Sequence, residues 1–475
     1  MQLYSFVQNF RYKDAPLHTR ELVKTCLLDI IGVAAGARDN QTSAMLKTYA
    51  DTHYAANKLS SRLWFDGRAV HPLGAAYAGG FCVDSLDAHE GHFTSKGHAG
   101  ATVVPAIVAL VDAYLGQGKG ISGEEFLSAL CIGYETALRA GQALMATAPE
   151  YHASGAFSGI GVVCAGARLL KLDETTFRHA LGIAEYFGPR CPMMRLVSFP
   201  TMLRDAHGAG AYAGLNALLM AQLGVTGAPA ATVEPLEIST FWQDIGARWE
   251  IDEQYFKPWP VCRWAQPALT AMTDLMRAHP SITAEVVETI DVETFHESVC
   301  LQGHFPKNAD EAQYALAFPL AALLVRGKLG PGEVTGDSIH APDILRISEK
   351  ITLHEAPDLS ARFPEEILSR VTVTLKDGIR LTSPTATAKG DPDNPMSRDE
   401  LTAKYHSLAD DSLGTPLSNA IKKSVESLPE SDDCQSLFDL LLSAPKIEAA
   451  LDSGPTACSA EQSAGHRYRD GDRIL

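Results

Sequence analysis

Between residues 122 and 224 the chain strings together apolar, helix-patterned segments in which small residues dominate. They are SGEEFLSALCIGYETALRAGQAL, GAFSGIGVVCAGARLLKL, TTFRHALGIAEYF and GAGAYAGLNALLMAQLG. Glycine inside a helix costs about 1 kcal/mol relative to alanine. Helices that keep several glycines must therefore gain more from close backbone approach than they lose in propensity. That restricts this region to a tightly packed, multi-helix core. Upstream, LHTRELVKTCLLDIIGVAAGA carries apolar residues at helical spacing and ends in small residues and Gly36. HPLGAAYAGGFCVDSLDAH has the same small-residue character.

Near Trp259 the pattern changes. AEVVETIDVETFHES alternates β-branched residues and predicts a strand. ILSRVTVTLKDGIRLTSPT predicts two strands joined at Lys376-Asp377-Gly378, since Asp-Gly favours a tight hairpin. DEAQYALAFPLAALLVRGKLG and HAPDILRISEKI, lying between them, predict one helix each. KGDPDNPMSRDELTAKYHSLA returns to helix through a Pro/Asp-rich turn capped near Ser397, and the polar tail from about Ser453 is expected to fray. The expected fold is mainly α: a large all-helical domain from 1–266 and 395–475, with a smaller α+β lid domain from 267–394. No internal repeat is visible.

At 475 residues the chain has length for two or three domains, and its formal charge of −17 argues against general affinity for nucleic acid or anionic membranes. A pocket inside that acidic shell can still be locally basic. Nine cysteines, scattered singly and without CxxC spacing, suggest neither a disulfide framework nor a zinc ribbon. The N-terminus MQLYSFVQNFRYKDAP lacks the marks of a signal or transit peptide, and no apolar run reaches the roughly 18 residues of a membrane span. A soluble, cytoplasmic protein is expected.

The segment DSLDAHEGHFTSKGHAG, Asp84–Gly100, sets three histidines, a lysine and three acids directly before the apolar helix ATVVPAIVALVDAYL. It reads as a metal cage, a proton-transfer site or a solvated loop. His89, His92 and His98 lack the compact spacing of HExxH, so no metal is expected and most weight falls on acid–base chemistry. Gly97 and Gly100 bracket His98 and predict a tight backbone turn, and the helix beginning just after would turn its positive end toward a bound carboxylate. EYHASGAFSGIG repeats the arrangement at His152. In FPTMLRDAHGAGAYAG, Arg204 suits a substrate carboxylate or an ion pair with Asp205, beside His207. In YFKPWPVCRWAQP, Lys257 and Arg263 stand among aromatics and prolines, where desolvation would bring a lysine into the range useful for proton transfer. No GxGxxG follows a predicted strand, and there is no Walker lysine motif or GxSxG elbow, so no nucleotide cofactor is called for.

Taken in order, LLDIIGVAAGA, GHAGATVVPAIVAL, YHASGAFSGIGVVCAGARLLKLD, LGVTGAPA, ARWEIDEQYFKPWPVCRWAQPA, DEAQYALAFPLAALL, VTVTLKDG and KGDPDNPMSRDELTAKY resemble the MmgE/PrpD family. That family includes 2-methylcitrate dehydratase, cis-aconitate decarboxylase and iminodisuccinate epimerase. The resemblance implies a homodimer with an active site between a helical domain and a lid, using neither metal nor organic cofactor. It implies proton removal beside a carboxylate, followed by loss of water, loss of carbon dioxide or reprotonation on the other face. It places the family's site histidines on His98 and His152, its aspartates on Asp84 and Asp87, its later lysine on Lys257, and its earlier lysine on Arg204.

Three departures stand out. EGHFTSK, with Lys96, lengthens the link between the aspartates and His98; Arg204 keeps charge but cannot relay a proton; and the decarboxylases' lid tyrosine falls on Phe318. These point away from cis-aconitate decarboxylase, while YFKPWPVCRWAQPA resembles the epimerase branch. The expected function is a lyase-type enzyme, a dehydratase or relative, acting on a small di- or tricarboxylate. Expected catalytic groups are His98, His152, Lys257, Asp84 and Asp87; expected binding groups are Lys96, Arg204, Arg263 and His207. An epimerase of an aminodicarboxylate is the alternative, and a non-catalytic helical interaction protein is the alternative from another class.

Overall fold

A computed structural model describes residues 2–301 and 303–445. The expected frayed tail lies outside the described residues. The small-residue segments form the helices Gly123–Thr147, Gly155–Leu170, Glu174–Phe187 and His207–Gln222, joined by Leu17–Ala37, Pro72–Asp84 and Gly100–Leu115. Gly155–Leu170 lies between Gly123–Thr147 and His207–Gln222. Glycine makes that packing possible: a Cβ on Gly161 would sit 2.3 Å from the Gly133 carbonyl oxygen, and one on Gly214 would sit 2.6 Å from that of Gly159. The fold is mainly α, as expected.

Buried hydrophobic residues form two main clusters. One gathers the helices up to Phe256 and, from the far end of the chain, Tyr405, Ile421 and Phe438. These arrive on the helices Arg398–Leu413, Thr415–Ser427 and Gln435–Leu441; the first is entered by a capping box between Ser397 and Glu400 at the expected position. The other cluster gathers residues from Val261 to Ala388, together with Ala153, Met193, Leu196 and Val197. It rests on a four-stranded sheet in the order Ile351–Glu355, Val287–Thr294, Ser369–Leu375, Arg380–Thr382. Val292 pairs with Leu353 in parallel and with Val371 in antiparallel register. The predicted hairpin turns at Gly378, whose φ of 85° suits glycine.

Two expectations are corrected here. HAPDILRISEKI gives a helix only over Pro342–Ser348, and its last residue opens the strand Ile351–Glu355, which the sequence reading missed. DEAQYALAFPLAALLVRGKLG is two helices, Ala309–Gln313 and Ala317–Arg326. Pro319 explains the break: within one continuous helix its ring would clash with the carbonyl of residue 315 and remove a backbone donor. No helix of the described residues is long and apolar enough to cross a membrane.

Candidate active site

The helix Pro72–Asp84 ends where the titratable segment begins. The chain then passes through Asp87 at φ 52° and runs Gly91–His92 antiparallel to Gln254–Tyr255. His92 and Gly97 exchange backbone hydrogen bonds of 2.8 and 3.3 Å, closing a short loop in which Lys96 adopts φ 51°. The residues EGHFTSK thus fold into a compact loop, and three of its side chains, His92, Phe93 and Lys96, face a cavity. Neither Gly97 nor Gly100 has a positive φ; the tight turn is made at Lys96 instead. Both are needed for space instead: a Cβ would lie 2.5 Å from Ser154 Oγ at Gly97 and 2.0 Å from Tyr134 Oη at Gly100.

The cavity, about 240 Å³, takes its apolar lining from the second cluster, including Met193, Val197, Trp264 and Ile367. Its polar wall includes Asp87, Lys96, His98, Tyr151, Asp205, Tyr255, Lys257, Arg263 and Tyr314. The His98 backbone N–H donates to Ser154 Oγ (3.1 Å), and its ring Nδ1 lies 2.7 Å from the Glu90 carbonyl oxygen. A carbonyl only accepts, so Nδ1 carries the proton and Nε2 keeps its lone pair. Nε2 is 3.6 Å from Asp205 Oδ2. Burial, then the positive field of Lys257 and the neighbouring His207 ring, holds His98 well below the usual histidine range. Burial and the Asp87 carboxylate push Asp205 up to about 7, against the pull of Lys257. Below about pH 7 a neutral base and a protonated acid therefore stand side by side. Asp205 is flanked by two non-glycine residues in the left-handed region, Arg204 at φ 42° and Ala206 at φ 58°. Such strain persists only where surrounding structure enforces it.

Lys257 and Asp87 form a buried ion pair, and the ammonium also donates to the Asp87 carbonyl at 3.0 Å. Arg263 pairs with Asp391 at 2.5 Å and stacks 3.7 Å over the Tyr255 ring. Of the expected site residues, His98, Asp87, Lys96, Lys257 and Arg263 come together on this wall.

The other four do not line it. His152 forms an extended bridge to Pro192, so its side chain alternates with that of Tyr151, which does face the cavity. Arg204 is buried against Asp310 (2.7 Å) and Gln313 (2.6 Å), which use the guanidinium that was expected to hold substrate. Asp84 accepts the His207 backbone N–H at 3.2 Å, and His207 Nδ1 lies 2.8 Å from Thr102 Oγ1. Both stand behind His98, with the His98 and His207 rings 5.9 Å apart.

Two further corrections follow from the geometry. The start of the helix Gly100–Leu115 is already filled, because the Gly100 N–H donates to the Glu90 carboxyl at 3.0 Å. The histidine rings behind His98 add no positive charge to the site. Burial, first of all, lowers His89 well below its ordinary value and brings His207 to about 3, so the cavity's positive charge comes from Lys96, Lys257 and Arg263. Phe318 is fully buried away from the cavity, while Tyr314, four residues earlier at the helix break, lines it. Sequence reading missed Tyr151, Tyr255 and Tyr314 as wall residues and took Asp205 only as an ion partner. Tyr151 had a signal in its adjacency to His152; the others had none. Among the described residues, Asp84, His89 and His207 offer ligand atoms within 4.8 Å of one another and are the grouping that could hold a cation.

These buried acids give stability a pH dependence. Burial and Asp29 push Glu90 up to about 8, burial pushes Glu135 up to about 7 against Arg139, and Asp205 stands near 7. Near pH 6.5 the lowered histidines are half protonated in the unfolded chain and oppose the carboxyl slope; above about pH 7.5 they are neutral in both folded and unfolded chains and add none. The three carboxyls still hold protons that the unfolded chain has lost. Stability therefore falls as pH rises from about 7.5 to 8.5, chiefly through Glu90, by up to about 1.4 kcal/mol per pH unit. Urea midpoints at the two pH values check this, and Glu90→Gln should flatten the slope. A midpoint that rises with pH would count against the buried, protonated carboxyls.

In this mainly helical body one cavity brings together a histidine, a carboxyl and a buried lysine, the groups that acid–base chemistry needs. The MmgE/PrpD N-terminal domain matches residues 1–237 and the MmgE/PrpD C-terminal domain residues 259–430. The chain belongs to the MmgE/PrpD family. It is similar to the cis-aconitate decarboxylase of Homo sapiens, 24% identical over 454 residues that cover 90% of this chain and 92% of that protein. It is also similar to that of Mus musculus, 25% identical and covering 90% and 89%, and to that of Aspergillus terreus, 22% identical and covering 93% and 95%.

Proposed function

We propose that this protein is a lyase-type enzyme that removes a proton from the carbon next to a substrate carboxylate. His98 Nε2 takes the proton as the C–H bond breaks, and the electron pair moves toward the carboxylate. As that pair returns to form a carbon–carbon double bond, the leaving group departs, and Asp205 gives a leaving hydroxyl its proton so that water is released. Lys257 supplies positive charge close to the developing anion.

The observation that carries this reading is the 3.6 Å separation of His98 Nε2 and Asp205 Oδ2. A two-base epimerase must hold one carbon between its bases at about 3 Å from each, roughly 6 Å apart. A base and an acid this close favour removing a proton and protonating a leaving group on one side of the substrate. The relatives named as cis-aconitate decarboxylases support a small carboxylate as substrate. Their name, and the family likeness, also suggest several carboxylates on that substrate. The two separate hydrophobic clusters support a division into a helical body (1–266 and 395–475) and an α+β part (267–394). A cytoplasmic homodimer belongs to the same proposal, and light scattering at twice 51.0 kDa checks the dimer.

Candidate carboxylates incubated in deuterium oxide test the reaction by proton NMR and absorbance. A growing double-bond signal is expected, with a rate that falls above about pH 7 as Asp205 loses its proton and persists below the ordinary histidine range. Deuterium incorporation with inversion and no unsaturated product would instead establish epimerisation.

A further inference from the structure

We propose that Asp29 and Lys404, neither of which lines the cavity, are positioning residues that fix the backbone at Glu90 and thereby the tautomer and aim of His98. This rests on the reading of His98 as the base and adds what holds it in place. Residues 87–90 are buried but belong to no helix or strand. Buried backbone groups need partners, and here side chains supply them. Lys257 Nζ donates to the Asp87 carbonyl at 3.0 Å, and Lys404 Nζ donates to the Ala88 carbonyl at 2.7 Å. The Glu90 N–H donates to Asp29 Oδ2 at 3.0 Å, and the Glu90 carbonyl accepts from His98 Nδ1 at 2.7 Å. Lys257 holds this strip from the cavity wall; Asp29 and Lys404 hold it from outside the cavity.

Asp29 lies on the helix Leu17–Ala37 and Lys404 on Arg398–Leu413. They form an ion pair of 2.6 Å, each side chain only 5% exposed. A pair that served only to join two helices would need no third partner. This one uses its second carboxylate oxygen on the Glu90 N–H and a second ammonium proton on the Ala88 carbonyl, both on the same strip. Among the described residues the Glu90 carbonyl is the hydrogen-bond partner of His98 Nδ1, and a Cβ on Gly91 would lie 2.5 Å from that nitrogen. The ring thus rests on the backbone that Asp29 anchors, and a shift of that backbone moves the ring or frees its tautomer. A misplacement of about 1 Å can cost a reaction about a hundredfold.

Two double variants test this without leaving a lone charge buried. Asp29→Ala with Lys404→Met removes both anchors of the strip. Asp29→Asn with Lys404→Gln removes the charges but keeps an acceptor for the Glu90 N–H and a donor for the Ala88 carbonyl. Nitrogen-15 NMR of His98 is the deciding readout and needs no substrate. The first double variant should show a mixture of Nδ1–H and Nε2–H forms, and the second the Nδ1–H form alone, as in the wild type. An ion pair that merely joined helices would lower the urea midpoint of both and move the tautomer of neither. If the first double variant does not fold, Asp29→Glu replaces it: the charges stay, while the added methylene pushes on the Glu90 N–H, and the same mixture is expected. A folded variant that lacks or displaces these anchors and still has His98 protonated only on Nδ1 overturns the proposal.

Turnover separates this proposal from the reaction, with citrate and cis-aconitate as probes in deuterium oxide. The first double variant should lower kcat by about ten- to a hundredfold with KM within about twofold of wild type, and the second should recover most of that loss. If the tautomer stays fixed in the first double variant while His98→Asn lowers turnover as expected, the positioning inference fails and the base reading stands. If the tautomers mix but kcat does not change, the inference stands and the base assignment fails.

Discussion

Lys257→Met is expected to destabilise the protein by about 3–5 kcal/mol, the usual cost of leaving one member of a buried ion pair alone. Its ammonium and the Asp87 carboxylate are only 1% and 4% exposed, and Asp87 Oδ2 has no hydrogen-bond partner to share the charge once the lysine is gone. The control is Lys257→Met combined with Asp87→Asn. Asparagine removes the charge and tolerates the left-handed backbone of residue 87, at φ 52°, better than a bulkier apolar residue would. The double variant should recover most of the lost stability in urea unfolding while remaining inactive. A single variant that loses less than about 1 kcal/mol would show the pair to be hydrated, since solvent-exposed pairs contribute about that or less.

The largest effect on turnover is expected from His98→Asn, a loss of roughly a hundredfold to ten-thousandfold, the usual contribution of a positioned general base. Asparagine can keep the hydrogen bond that Nδ1 now makes to the Glu90 carbonyl, so the loop should stay in place while the basic Nε2 is lost. The melting temperature should therefore move little and kcat should fall far more than KM rises. Near-normal turnover would reassign the base, with Lys257 the next group on the same wall.

Much of the fold was legible because helical period and small residues act locally. SGEEFLSALCIGYETALRAGQAL and GAGAYAGLNALLMAQLG carry their packing in their own glycines and alanines. The hairpin at Asp377-Gly378 was legible for the same reason. The strand Ile351–Glu355 was not, because its pairing partner lies some sixty residues earlier in the chain and its own pattern is weak. The site was half legible. His98, Lys257, Asp87, Lys96 and Arg263 announce themselves as polar groups set among apolar or glycine-rich neighbours. Arg204 and Asp205 show what a sequence leaves open: one backbone step separates a guanidinium buried against Asp310 from a carboxyl facing His98. Which of them faces the cavity goes with two left-handed backbone angles that no residue type at these positions foretells. Tyr314 reached the wall through a helix break whose cause, Pro319, is visible in the sequence, but its direction was not.

The central claim is that His98 is a neutral base at working pH, with its proton on Nδ1 and its lone pair on Nε2. Nitrogen-15 NMR of histidine-labelled protein, with the His98 signals assigned by their loss in His98→Asn, reads this directly and needs no substrate. The account predicts a protonated Nδ1, an unprotonated Nε2, and no conversion to imidazolium as pH falls through the ordinary histidine range near 6.5. A proton on Nε2, or a His98 that becomes imidazolium at or above pH 6.5, would contradict it.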